Sequence, residues 1–181
     1  MTSGDAGGGP PHLIVPVAEL RRHLGSRAPV ERGLVAEGLA LPDVGVAVPD
    51  GAEVVLRGEV ESISEGVVLT GAVEVPWTGS CRRCLGPVDG VATVDVREVF
   101  AVHPTDGETW PLDGDQLDVG PLVHDSALLA LPLAPLCTDD CAGPAPDRFP
   151  TAPAVDEAAT AEADQPPARD PRWAALDDLD L

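Results

Sequence analysis

The 181-residue chain contains no lysine and no tyrosine, and its aromatic residues are two Phe and three Trp. Cations are scarce: eleven Arg face 31 Asp and Glu, for a formal net charge of −20 at pH 7. A free-standing nucleic-acid binder carries a basic footprint, because neutralising phosphates releases counterions. A chain of the opposite sign is repelled at long range by RNA, DNA and anionic lipid. Any role near nucleic acid must therefore be local or pass through a basic partner. No apolar run reaches the roughly 18 residues that a bilayer-spanning helix needs, so no membrane role is expected. Residues 1–11 lack the charged flank and apolar stretch of a secretion signal, and a cytoplasmic location is expected.

What the chain does have is a 44% hydrophobic fraction, drawn from Val, Leu and Ala. That suffices for one domain with tails. Residues 1–11, rich in Gly and Pro, read as a disordered tail, and 12–141 as a single folded β-rich domain with paired Cys. Residues 142–169 read as an acidic Ala/Pro-rich linker, and 170–181 as a short helix with Asp170 as cap, Pro171 at its first position and an apolar stripe of Trp173 and Leu176.

Within the domain, His12–Val17 reads as a strand, and Val17, Leu20 and Leu24 are spaced for a short helix stopped by Gly25. From Val54 the pattern turns to period two. Val54, Leu56, Gly58 and Val60 share one face; Val67, Leu69, Gly71, Val73, Val75 and Trp77 repeat it after a turn at 64–66; Val94, Val96, Glu98, Phe100 and Val102 form a third run. Segments 33–41 and 44–48 can add one or two strands. Short connections favour an antiparallel meander. The expected fold is therefore α+β: mainly antiparallel sheet, curled into an open barrel-like meander, with short peripheral helices. Residues 104–118 read as an acidic loop. Residues 119–131 read as a helix, with Asp118 capping it, Pro121 in its first turn, Leu122, Ser126 and Leu129 on one face and Pro132 ending it.

All four cysteines fall in two close pairs, Cys81/Cys84 and Cys137/Cys141, with 52 residues between the pairs. Cys81-Arg82-Arg83-Cys84 runs into Leu85-Gly86, the small turn residue expected of a zinc knuckle. Such a turn aims two thiolates at one point, and a second pair from a distant segment completes a tetrahedral structural zinc site. The alternatives are buried unpaired thiols and, disfavoured by the expected compartment, a disulfide or redox use. Arg82 and Arg83 are candidates for contact with phosphate or an acidic partner, or for offsetting thiolate charge. None of the four His lies beside a Cys or Ser in a nucleophile motif, and Asp113-Gly114-Asp115 lacks calcium-loop spacing.

Three features, taken in order, resemble the bacterial large ribosomal RNA subunit accumulation family, the YceD-like proteins. They are Cys81-Arg82-Arg83-Cys84-Leu85 after a hydrophobic strand; Leu117-Asp118-Val119 followed by Leu128–Cys137 with its Leu-Pro segment and by Asp140-Cys141; and Asp170-Pro171-Arg172-Trp173-Ala174-Ala175-Leu176. The resemblance implies a non-enzymatic protein needed for accumulation of large-subunit ribosomal RNA. Relatives that carry a further Cys-Pro-x-Cys-Gly segment differ here, where Gly143-Pro144-Ala145-Pro146 and the linker take its place. With −20 charges, the expected partner is a basic ribosomal protein or large-subunit assembly factor, with direct RNA contact confined to a patch such as Arg82 and Arg83. Trp173 and Leu176 would dock on that partner or close over their own sheet. The competing readings are a zinc- or thiol-dependent enzyme with Cys137 or Cys141 as nucleophile, and a zinc-stapled adaptor unrelated to ribosomes.

Overall fold

A computed structural model describes residues 12–148. In chain order the elements are β1 (Ile14–Pro16), a single 3-10 turn (Leu20–Arg22), β2 (Arg27–Val35), β3 (Ala40–Leu41), β4 (Val46–Ala47), β5 (Glu53–Ile63), β6 (Gly66–Ser80), β7 (Pro87–Ala101), β8 (Trp110–Pro111), β9 (Gln116–Asp118) and α1 (Gly120–Ala130). The expected tail over 1–11, most of the linker over 142–169 and the closing helix with Trp173 and Leu176 lie outside the described residues.

Strands β2, β5, β6 and β7 form the antiparallel meander that the alternation predicts. β6 is its spine. β7 follows it along all fifteen residues, from Gly66↔Ala101 to Ser80↔Pro87. On the other edge, β5 pairs it from Ile63↔Gly66 to Val55↔Glu74, and β4 takes over at Thr78. The expected faces are present: Val54, Leu56, Val60, Val67, Leu69, Val73, Val75, Val96 and Phe100 are all buried in one core. At the centre of that face Gly58 stands opposite Gly71. A Cβ on Gly71 would lie 2.3 Å from the Arg57 carbonyl oxygen and 2.7 Å from the Gly58 Cα, so the two backbones approach too closely there for any side chain.

The sheet does not close into the expected barrel. β2 ends one side and β7 with its short parallel partner β8 the other, and the two ends do not pair. The physical reason is α1. It packs against β2, β5, β6 and β7 and buries Leu122, Val123, Ser126 and Ala127, so an added layer covers the apolar face and the sheet need not curl over itself. Leu129, expected on the buried face of this helix, is 84% exposed instead.

Three other expectations are corrected. The segment after Val17 makes only the 3-10 turn, with His23 already extended and Leu24 exposed; the Gly25 N–H donates to the Ser62 carbonyl at 2.8 Å and the Ser62 N–H to the Ser26 carbonyl at 2.9 Å, which draws the chain along β5 instead of around a second helical turn. The acidic loop holds β8 and β9. β9 pairs β1 antiparallel, and Trp110 of β8 stacks on Phe100 (centroids 6.2 Å apart) while its Nε1–H donates to Glu98 at 3.1 Å. The residue capping α1 is Val119, but Asp118 still serves the helix start, because its Oδ1 accepts the Gly120 and Leu13 N–H groups, both at 2.9 Å. Partial burial pushes the Asp118 carboxyl up, but the hydrogen bonds from His12, Gly120 and Leu13 outweigh it and hold the group below its ordinary value.

The opposite face of the sheet is charged. Arg57 pairs with Glu31 at 3.1 Å and Glu74 at 2.6 Å, and Arg27 with Glu59 at 3.3 Å and Glu61 at 2.9 Å. By register, Asp95 and Arg97 lie on this face as well. The carboxylates outnumber the guanidiniums.

Candidate metal centre

Beyond Glu74, β6 and β7 continue together as an arm that β4 joins only at Thr78, and residues 81–86 form its tip. The tip turn is closed by backbone bonds: Cys81 N–H to the Gly86 carbonyl at 2.8 Å and Leu85 N–H to the Cys81 carbonyl at 2.9 Å. Leu85 carries a left-handed conformation, with φ +62°, beside Gly86, the small turn residue expected of a zinc knuckle. Gly86 serves the site differently, since a Cβ there would sit 3.4 Å from the Cys84 sulfur.

Leu131 ends α1 in extended geometry, Pro132 prevents continuation, and the chain then runs back to the arm tip. Arg82 N–H donates to the Pro135 carbonyl at 2.9 Å. This return places Cys137 and Cys141 against Cys81 and Cys84. All four sulfurs lie within 4.8 Å of one another, with Cys81 to Cys141 and Cys84 to Cys137 both at 3.7 Å. These separations are far longer than the ~2.05 Å of a disulfide. They match the roughly 3.8 Å edge of a tetrahedron with ~2.3 Å metal–sulfur bonds. The four cysteines paired in the sequence reading are thus brought together, as free thiols in a geometry that can hold one ion.

The sulfurs differ in surroundings. Cys81 is fully buried, Cys84 and Cys141 are half-buried, and Cys137 is exposed. Backbone N–H groups of Cys84, Cys137 and Arg83 point at the Cys81 sulfur and bring its thiol down to about 6. Cys137, crowded by Cys141, Cys84 and Cys81, is pushed up to about 12. Together the sulfurs resist becoming four thiolates, and a cation at their centre would remove that resistance.

Arg82 and Arg83 cross from the tip to the returning loop. The Arg82 Nε and one terminal nitrogen donate to the Leu133 carbonyl at 3.3 and 3.2 Å; Arg83 donates to the Asp139 and Cys141 carbonyls at 2.9 and 3.2 Å. The guanidiniums therefore tie the two cysteine segments together. Their acceptors are main-chain carbonyls, which no residue pattern advertises, and for that reason this bracing role was not foreseen. Trp173 and Leu176, the other candidate partner contacts, lie outside the described residues.

The chain is 34% identical over 142 residues to uncharacterized proteins of Mycobacterium tuberculosis and Mycobacterium bovis, covering 72% of this chain and 64% of each relative. With an uncharacterized protein of Mycobacterium leprae it shares 32% over 143 residues, 73% of this chain and 65% of that one. The chain thus spans just under two thirds of the length of these relatives. No solved structure matches it. The sequence profile of the large ribosomal RNA subunit accumulation protein YceD matches residues 69–180, a span that begins in β6 and takes in all four cysteines. The chain belongs to that family.

Proposed function

We propose that this protein is a non-enzymatic, cytoplasmic factor supporting accumulation of large-subunit ribosomal RNA, with a structural zinc ion held by Cys81, Cys84, Cys137 and Cys141. The observation that carries the reading is the convergence of four thiols inside the region shared with the family. Zinc fits this donor set: four soft sulfurs within 4.8 Å of one another suit it better than the oxygen-seeking magnesium or calcium. Four protein ligands leave no open position for water or substrate, which supports a structural ion over a catalytic one. The ion would fasten the loop after α1 to the arm tip, and Arg82 and Arg83 would balance the net charge of a tetrathiolate site.

The partner is a basic ribosomal protein or large-subunit assembly factor. The charged sheet face, where Glu31, Glu59, Glu61, Glu74 and Asp95 outnumber Arg27, Arg57 and Arg97, would draw such a partner in. Attraction of this kind speeds encounter and selects partners more than it tightens binding. Metal analysis of the purified protein should return one zinc per chain, and a metal-free protein with an unchanged melting curve would defeat the zinc part. The tagged protein should co-sediment with precursor large-subunit particles and leave them as salt rises. Absence from those particles, together with unchanged ribosomal RNA in a deletion strain, would defeat the functional part.

A further inference from the structure

The four sulfurs form two unlike pairs. Cys81 and Cys141 make the inner one, with Cys81 fully buried beneath backbone N–H groups. Cys84, half-buried, and Cys137, exposed, make the outer one, with the same 3.7 Å separation. Each pair joins the arm tip to the returning loop; neither lies within one segment. Two sulfurs 3.7 Å apart need to close by under ~2 Å to reach disulfide length, and a peroxide must first reach the sulfur, which it can do at exposed Cys137 and not at fully buried Cys81.

We infer that the outer pair, Cys84 and Cys137, is an oxidative modification site at which a peroxide forms a reversible disulfide between the arm tip and the loop after α1. A peroxide transfers one oxygen to one of the two sulfurs, giving a sulfenic acid and, from hydrogen peroxide, one water. The second sulfur attacks the first; the S–O bond breaks, the S–S bond forms, and the sulfenic oxygen leaves with a proton as a second water. The two sulfurs lose two electrons and the peroxide O–O bond gains them. With zinc in the site, oxidation removes two of its four ligands and the ion departs, while the new bond keeps the loop on the arm. A thiol reductant reverses the step. The release of metal rests on the zinc reading; the choice of sulfurs rests on the burial of Cys81 and the exposure of Cys137, since the sulfurs of both pairs stand 3.7 Å apart.

The absence of lysine makes the test clean. Trypsin cuts only at Arg, and Arg82 and Arg83 separate Cys81 from Cys84. Full-length reduced protein is assayed for zinc, treated with stoichiometric hydrogen peroxide, alkylated and digested. The expected product links the peptide beginning at Cys84 to the one carrying Cys137 and Cys141, and fragmentation at Asp139-Asp140 assigns the bond to Cys137. This link should exceed any involving Cys81 by about tenfold, as buried thiols are inert, and zinc should be released one for one with it. A Cys81–Cys84 or Cys137–Cys141 bond as the main product overturns the inference, as does irreversible over-oxidation without a crosslink. If the protein starts without zinc and still forms the Cys84–Cys137 bond, the modification site stands and the zinc reading falls. Cys137→Ser should abolish the crosslink, and the wild-type peptide map decides the matter should that variant fail to fold.

Discussion

Between Gly66 and Val75, β6 buries Val67, Leu69, Val73 and Val75 beneath α1; between Pro76 and Ser80 the same strand leaves every residue at least partly exposed. β7 shows the mirror image, exposed or half-exposed from Pro87 to Asp95 and buried at Val96 and Phe100. The strand pairing continues unbroken through both stretches, so hydrogen bonding does not distinguish them. The difference is a third strand and a helix, present over one half and missing over most of the other. A two-stranded ribbon is marginal by itself in water, and burying apolar area, the main favourable term elsewhere in the domain, is not on offer at the arm tip. Four clustered thiols and main-chain carbonyls take its place there.

Breaking each half separately should give different signatures. Leu56→Ala, in the fully buried core, should lower unfolding stability by about 2–5 kcal/mol, read as a shifted denaturant midpoint for the whole domain. Chelation, or Cys84→Ser, should instead act locally. Amides of residues 81–86 and 133–141 should exchange about tenfold faster or more, equivalent to ~1.4 kcal/mol of lost local protection, while those of β5 stay protected. Equal loss of protection in β5 would show that the two halves are one cooperative unit.

Gly71→Ala sharpens the comparison at the crease of the sheet. Its Cβ would meet main-chain atoms of β5 that cannot move aside, and a loss of roughly 1–3 kcal/mol is expected; a neutral result would mean that the strands can part there. Asp118→Asn should cost about 1 kcal/mol through the start of α1 and the β1 contact. Because the folded-state carboxyl is held low, its contribution is fully present above the ordinary carboxylate range and fades as pH falls through the folded value. The acid limb of stability should therefore flatten in the variant, as a pH series of melting temperatures can test. The smallest change is expected at the arm tip. Leu85→Gly removes a left-handed strain of roughly 1 kcal/mol but adds glycine's unfolded-state entropy of roughly 0.5–1 kcal/mol, for a shift within about 0.5 kcal/mol by denaturant titration.

The faces of β5, β6 and β7 were legible because half-buried strands leave a period-two trace, and the cysteine pairs because metal-type spacing is a local pattern. Other features left no such trace. β2 begins at Arg27-Ala28-Pro29, where no apolar alternation announces it, and takes its register from β5. β8 and β9 are two and three residues long, and exist because Phe100 and β1 wait for them. Closure of the sheet was misjudged because alternation reports which side is buried, not whether a helix or the sheet itself does the burying. At Leu129, an apolar residue in helical spacing was read as core, although the sheet contacts only the Leu122, Val123, Ser126 and Ala127 side of α1.

An open sheet has a border, and the nine residues of β2 are paired only with β5 among the described residues. Unpaired borders invite other chains to add on as further strands. This one carries Pro29, which has no N–H to offer, flanked by Arg27, Glu31 and Arg32. Arg32 is turned back to the Ile14 carbonyl at 3.2 Å. A proline interruption and alternating charge are the means by which proteins keep such borders from templating aggregates. The β2 edge of a sheet left uncurled by its helix thus carries chemistry that discourages the addition of a foreign strand.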